Sequence, residues 1–288
     1  MNTRFRTWIL LAGLTGLFIG VGGIVGGSGG VLVFALMAVL FNLAMFWFSD
    51  RIALRMSRAQ PLDETAAPAV YEDVRRLTER AGLPMPRLYL IPSEQPNAFA
   101  TGRSPSTSAV AVTDGLLRLM PREEVRGVLA HELAHIKNRD VLVTTIAAMI
   151  GAAISAIANI LQFQWLFGGG DDEDSGPLAL IGMLAAVLLA PIAAMLIQLA
   201  VSRQREFLAD ATAAQFLGEG RPLASALRSL ERGTELIPAA VNPATASLYI
   251  ANPLGRGGMS GLFSTHPPIP ARIERLKARD AANGLHWS

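Results

Sequence analysis

Two histidines four residues apart, with a glutamate directly after the first, form the segment His131-Glu132-Leu133-Ala134-His135. On an α-helix, residues four positions apart share a face, with Cβ atoms about 5–6 Å apart. Both imidazoles can then reach one ion at the roughly 2.0–2.1 Å of a zinc–nitrogen bond. Glu132 lies beside the first ligand, where its carboxylate can act as general base toward water at the ion. The chain has four histidines and no cysteine, so imidazole and carboxylate must supply every ligand. Such a pattern also arises by chance on exposed helices, so its surroundings have to decide.

A catalytic zinc keeps three protein ligands and one open position. The third ligand must come from elsewhere, and His266, His286 and well-placed carboxylates are the candidates. SRQREFLAD, Ser202 to Asp210, offers Glu206 and, one turn later, Asp210. A helix of this kind can supply one carboxylate as ligand and a second to hold a ligand histidine. The plainer alternative is a charged, solvated helix cap. His286 stands close to the last residue, where chains fray, and reads as a bystander.

The elements around these residues are unusually apolar. Of 288 residues, 51% are hydrophobic and only 17% charged, against roughly a quarter charged in soluble domains. A net charge of +2 without a basic run is too small to argue for nucleic acid, and none is expected as a partner. No charged side chain occurs from Thr7 to Ser49, from Val141 to Gly170, or from Ser175 to Ser202. A bilayer core needs roughly 20 apolar residues per helix, so these blocks predict four transmembrane helices in two hairpins. The glycine run around Gly22 to Gly30 divides the first block into spans Trp8–Val25 and Val31–Phe48. Asp171 to Asp174 divides the second hairpin. A cleaved signal peptide is disfavoured, because the uncharged run far exceeds a 7–15-residue core.

Arginines and lysines flank the blocks on one side only: Arg4, Arg6, Arg51, Arg55, Arg58, Lys137, Arg139, Arg203 and Arg205. Positive flanks stay in the cytoplasm, so both termini and the polar segments are expected there. The division is then 1–50, an N-terminal hairpin; 51–140, the first part of a catalytic domain; 141–202, the second hairpin; and 203–288, the rest of that domain. Periodicity predicts helices over Pro68–Ala81, from Pro121 through Lys137, and over Arg203–Leu217, Arg221–Leu236 and Ala271–Ala281. Short strands are predicted at Arg87–Ile91, Ala98–Thr101 and Ala109–Thr113. The fold class is mainly α, of α+β type, with a small sheet.

HELAH, SRQREFLAD, NAFATG (Asn97 to Gly102) and STHPPIPARI (Ser264 to Ile273) occur in this chain with two apolar hairpins. That arrangement resembles the HtpX-type bacterial membrane metalloproteases, relatives of the Ste24 CaaX-processing proteases, over nearly the whole chain. The resemblance implies a zincin domain on the cytoplasmic face of the inner membrane, with one zinc ion per chain held by His131, His135 and Glu206. It makes Glu132 the base and gives Asp210 to a ligand histidine. His266 and Arg272 become partners for the oxyanion, the plainer reading being a proline-rich turn and a solvated helix. Asn97, Ala98, Phe99 and Ala100 become the strand edge that binds substrate, or else a plain core strand. The implied function is stress-linked quality control of damaged or misfolded membrane proteins.

Three other readings compete. A CaaX-type processing enzyme shares the chemistry, but a larger chamber needs more helices. A scaffold with a structural metal would close its site with four protein ligands. A transporter is disfavoured by apolar blocks without ionisable residues.

Overall fold

The structure, a computed structural model, describes residues 3–150, 203–237, 248–250 and 267–287. The expected spans beyond residue 150, and His266, lie outside the described residues.

Helical backbone runs from Thr3 to Met56 (α1), yet the chain folds back within it. Asn42 Nδ2 donates to Thr15 Oγ1 at 2.8 Å, 27 positions away, a separation of about 40 Å along a straight helix. Phe18 packs against Phe34 and Phe41, with ring centroids 6.5 and 5.8 Å away. The reversal is at Gly27, at φ +56°, and Gly22 and Gly30 meet backbone to backbone where a Cβ would collide. The glycine run therefore makes a close helical turn between two antiparallel arms.

The second arm, Gly27–Met56, has 30 residues and is long and apolar enough to cross a membrane. It exposes Leu32, Leu36, Leu40, Leu43 and Trp47, each more than half exposed. Their spacing of three and four places them on one helix face. At about 45 Å the arm is longer than a hydrocarbon core of about 30 Å. Its far end, beyond the expected limit at Phe48, continues into the polar domain. There Arg87 reaches Asp50 at 3.0 Å, and Arg103 stacks on Trp47 at 4.2 Å.

A four-stranded sheet comprises β1 (Gln60–Pro61), β2 (Arg87–Ile91), β3 (Ala98–Thr101) and β4 (Ala109–Thr113), in the order β1-β2-β4-β3. β2 and β4 are parallel, Arg87 opposite Ala109; β3 runs antiparallel to β4, Ala98 opposite Val112. The alternating pleat feeds two cores. Leu88, Ala98, Ala100, Val110 and Val112 face a helical layer, whereas Ile91, Phe99, Ala109 and Ala111 face Met45, Ala53 and Leu54 of α1. Full burial of Phe99 contributes about 2–3 kcal/mol.

The helical layer contains α2 (Pro68–Ala81) and α4 (Arg122–Asn138), with the short α3 (Asp114–Leu119) between β4 and α4. The predicted apolar face of α2, Val70, Val74 and Leu77, is buried. After α4 comes the apolar helix α5 (Val141–Ile150). These residues, expected to enter lipid, pack largely inside the protein, where Thr145 meets Thr101 hydroxyl to hydroxyl at 3.2 Å. Helices α6 (Arg203–Leu217), α7 (Arg221–Leu236) and α8 (Ile269–Ala282) complete the layer. The C-terminal tail does not hang free: Trp287 Nε1 donates to the buried Asp280 at 2.8 Å. His286 beside it is exposed.

Candidate metal centre

Helix α4 is buried along most of its length between β3, α6 and α7. Gly127 makes this possible, because a Cβ there would meet the backbone of Pro222 and Leu223 at the start of α7. His131 and His135 lie one turn apart on the face toward α6, where Glu206 and Asp210 are also one turn apart.

The Nε2 atoms of the two histidines converge to 3.1 Å, with ring planes at 88°. Glu206 Oε2 is 3.6 Å from His131 Nε2, and Glu206 Oε1 is 3.6 Å from His135 Nε2. Tetrahedral ligands at zinc bond lengths stand roughly 3.3 Å apart, so the three side chains match such an ion in donor type and in spacing. His131 and Glu206 are almost fully buried, and His135 is 15% exposed.

Each ligand histidine has its second nitrogen fixed. His131 Nδ1 is 3.0 Å from Asp210 Oδ1, and His135 Nδ1 is 3.1 Å from Asp140 Oδ1. A carboxylate at Nδ1 selects the tautomer that leaves Nε2 for the ion and raises its basicity. Asp210 is held in turn by Arg272, whose Nε and Nη2 donate to it at 2.8 and 2.6 Å. Arg272 is fully buried, with Nη2 3.4 Å from the His131 ring nitrogens.

The electrostatics favour positive charge at the convergence point. Burial opposes charge on His131, but hydrogen bonds with Asp210 and Glu206 outweigh it and hold its pKa above the usual imidazole value. Burial likewise opposes charge on His135, yet Asp140 and Glu206 raise its pKa to about 10. Asp210 would be raised by burial, but Arg272 and His131 bring it down to about 2. Burial pushes Glu132 up from the ordinary carboxylate value. This donor set suits a divalent cation: two imidazoles and a carboxylate at one point, with further carboxylates behind the rings.

Glu132 is buried beside this point, with the Ala100 N–H donating to it. A cavity of about 30 Å³ opens here, lined by Glu132, the three metal-type ligands, Ala100, Val141, Thr144, Leu248 and Ile250. It has room for a group of water size.

The structure thus brings together His131, Glu132, His135, Glu206, Asp210 and Arg272. Of Asn97 to Ala100, Ala100 lines the same cavity, and Asn97 precedes β3. There the Asn97 side chain accepts from the Ala98 N–H at 3.1 Å, and Phe99 points to the opposite core. Arg272, expected at a developing oxyanion, gives two donors to Asp210 and Nη1 to the Ile250 carbonyl at 3.3 Å. Sequence reasoning missed Asp140. Its signal was an aspartate two residues past the end of the helix and five beyond His135, but the turn that brings it back is made by Arg139 at φ +58°. Nothing in an arginine announces a left-handed turn.

Residues 64–280 match the model of Peptidase family M48. The chain belongs to this family. The match includes both α4 histidines and Glu206, and the relatives extend it to the N-terminal hairpin. A "Protease HtpX homolog" of Pelotomaculum thermopropionicum is 53% identical over 276 residues, 96% of this chain and 98% of that protein. Another, of Syntrophobacter fumaroxidans, is 52% identical over 282 residues, 96% of this chain and all of that protein. A third, of Burkholderia thailandensis, is 52% identical over 94% of this chain and 95% of its own length. Among solved structures, that of S. mikatae Ste24p is similar at TM-score 0.49 and 21% identity, covering 94% of this chain; the chain spans 61% of that protein. Membership in M48 accords with a metallopeptidase centre, and among the described residues His131, His135 and Glu206 form the candidate metal cluster.

Proposed function

We propose that the chain is a membrane-anchored zinc metalloendopeptidase that cleaves damaged or misfolded membrane proteins on the cytoplasmic side of a bacterial inner membrane. The observation that carries this reading is the convergence of His131, His135 and Glu206 to within 3.6 Å of one another beside Glu132. Zinc, when bound, supplies a Lewis acid that acidifies water and polarises a carbonyl.

The chain's own residues do the rest. Glu132 accepts a proton from the attacking water and returns it to the leaving amine. Its raised pKa suits both halves of that transfer, because a base works best when its pKa nears the operating pH. Asp210 and Asp140 hold the two imidazoles in position, and Arg272 holds Asp210. The buried charge of Arg272, 3.4 Å from the His131 ring, can also offset negative charge developing at the site; His266 remains its proposed companion. The β3 edge around Ala100 binds the substrate backbone as an added strand.

The lipid-type stripe of α1 and the hairpin contacts support the membrane anchor, and the relatives named as HtpX protease homologues support the protease activity. The one-sided arginines support a cytoplasmic catalytic domain. Three protein ligands beside an open cavity favour this reading over a structural metal, which would take four.

The test compares detergent-purified wild type with Glu132→Gln for zinc content and casein cleavage. The variant should keep its zinc and lose about 10²–10⁴-fold in rate, and a chelator should stop the wild type. Normal proteolysis by zinc-loaded Glu132→Gln would sink the assignment of the base.

A further inference from the structure

Trp47 closes the apolar stripe of α1 and is more than half exposed. From the turn at Gly27 to Trp47 the helix rises about 30 Å, the thickness of a hydrocarbon core. An indole at that depth sits among lipid headgroups. The Arg103 guanidinium lies over the same ring, 4.2 Å from a ring centroid. Stacking uses the flat face of the guanidinium and leaves the N–H groups around its rim for an anion.

Arg103 also lines a cleft between the end of β3 and the turn from α4 into α5. Arg139 and Ser104 line it too, while Ile136, Val141 and Leu142 supply an apolar side. Two cations and no acid border this space, and among the described residues neither guanidinium has a carboxylate partner. Arg139 stands at φ +58°, a conformation that glycine adopts without strain, so the turn itself does not call for an arginine. Val141 and Leu142 begin the apolar helix α5. The cleft is therefore cationic on one side and apolar on the other, beside an aromatic ring at headgroup depth.

We propose that this cleft binds the phosphate of an anionic phospholipid, with Arg103 and Arg139 as donors and Val141 and Leu142 against the hydrocarbon that follows the headgroup. The planar fork of a guanidinium matches a pair of phosphate oxygens. The apolar side selects the source of that phosphate: a free ion has nothing to place there, whereas a lipid carries hydrocarbon directly beyond its headgroup. The inference rests on the membrane anchor proposed above and is independent of the hydrolase chemistry.

The test incubates the full chain, purified in detergent, with phosphatidylglycerol or phosphatidylcholine and counts retained lipids by native mass spectrometry. Wild type should retain phosphatidylglycerol in preference to phosphatidylcholine. Retention should fall about fivefold in Arg103→Gln and again in Arg139→Gly, the usual gain per basic side chain at an anionic surface. Arg139→Gly suits the left-handed turn, so its melting temperature should hold, which separates lost binding from lost folding. Arg55→Gln, on the last turn of α1 and outside the cleft, should retain lipid like wild type. Equal retention of the two lipids, or unchanged retention in both cleft variants, would overturn the site. An equal loss in Arg55→Gln would replace it with a diffuse basic collar, and displacement by excess inorganic phosphate with a free-anion site. A chain that stays dispersed without detergent would overturn the membrane anchor and this inference with it.

Discussion

Asp140 holds its carboxylate oxygens 3.1 and 3.2 Å from Nδ1 of His135, reaching back across the left-handed turn that ends α4. Asp210 does the same for His131 from a helix more than 70 residues later. Replacing Asp140 by Asn removes the negative charge and frees the ring to adopt the other tautomer. Zinc affinity should fall about 10–100-fold, read by competition with a fluorescent chelator. An unchanged dissociation constant would show that Asp140 does not support the ligand.

The Arg272–Asp210 pair is a matter of stability as well as of position. Both groups are essentially unexposed and joined by two hydrogen bonds. Arg272→Ala leaves a buried carboxylate without its counter-charge, a loss of about 3–5 kcal/mol. Asp210→Leu combined with Arg272→Met should recover much of that stability but not zinc affinity. Thermal unfolding of the three proteins without metal checks the first claim, and chelator competition checks the second.

Zinc affinity should rise with pH. Without metal, the His131 and His135 pKa values lie above the usual imidazole value, that of His135 at about 10. His135 then carries a proton near neutrality, His131 is biased the same way, and zinc must displace such protons. Each displaced proton gives about a tenfold gain in apparent affinity per pH unit. The sign for metal-free stability is opposite. The folded-state pKa of His135 is above the unfolded value of about 6.5, so its stabilisation is complete below that value and is lost as pH rises through about 10. Zinc titrations at several pH values, with thermal melts of the metal-free protein, test both signs.

The α1 hairpin predicts a simple labelling pattern. The chain has no cysteine, so a single introduced thiol reports one position. Ser28, exposed at the turn, should react as Ser28→Cys with a membrane-impermeant maleimide added outside spheroplasts. Glu64→Cys in the polar domain should react only after lysis. The reverse pattern would invert the proposed orientation.

The helices and strands of the catalytic domain were legible because each carries its own local signal. Pro68–Ala81, Arg87–Ile91, Ala98–Thr101, Ala109–Thr113, Arg203–Leu217 and Arg221–Leu236 have the expected limits, set by apolar period and by Gly and Pro at their ends. HELAH was legible for the same reason, since four residues on a helix make one turn whatever the tertiary context. Glu206 needed more. From the sequence it was one carboxylate among several until a resemblance singled it out, and its 3.6 Å approach to both histidines exists only because α6 packs against α4.

The sequence by itself determined which chemistry was available: imidazole and carboxylate without thiolate, and apolar blocks long enough for lipid. Tertiary structure decided what those groups became. It brought Asp140 back onto His135 through an arginine in a left-handed turn, drew Arg272 onto Asp210, and set Leu248 and Ile250 against the cavity. Periodicity reports how a segment meets its own axis. Which distant group fills the space beside it depends on close packing between elements, and residue spacing along the chain does not encode that.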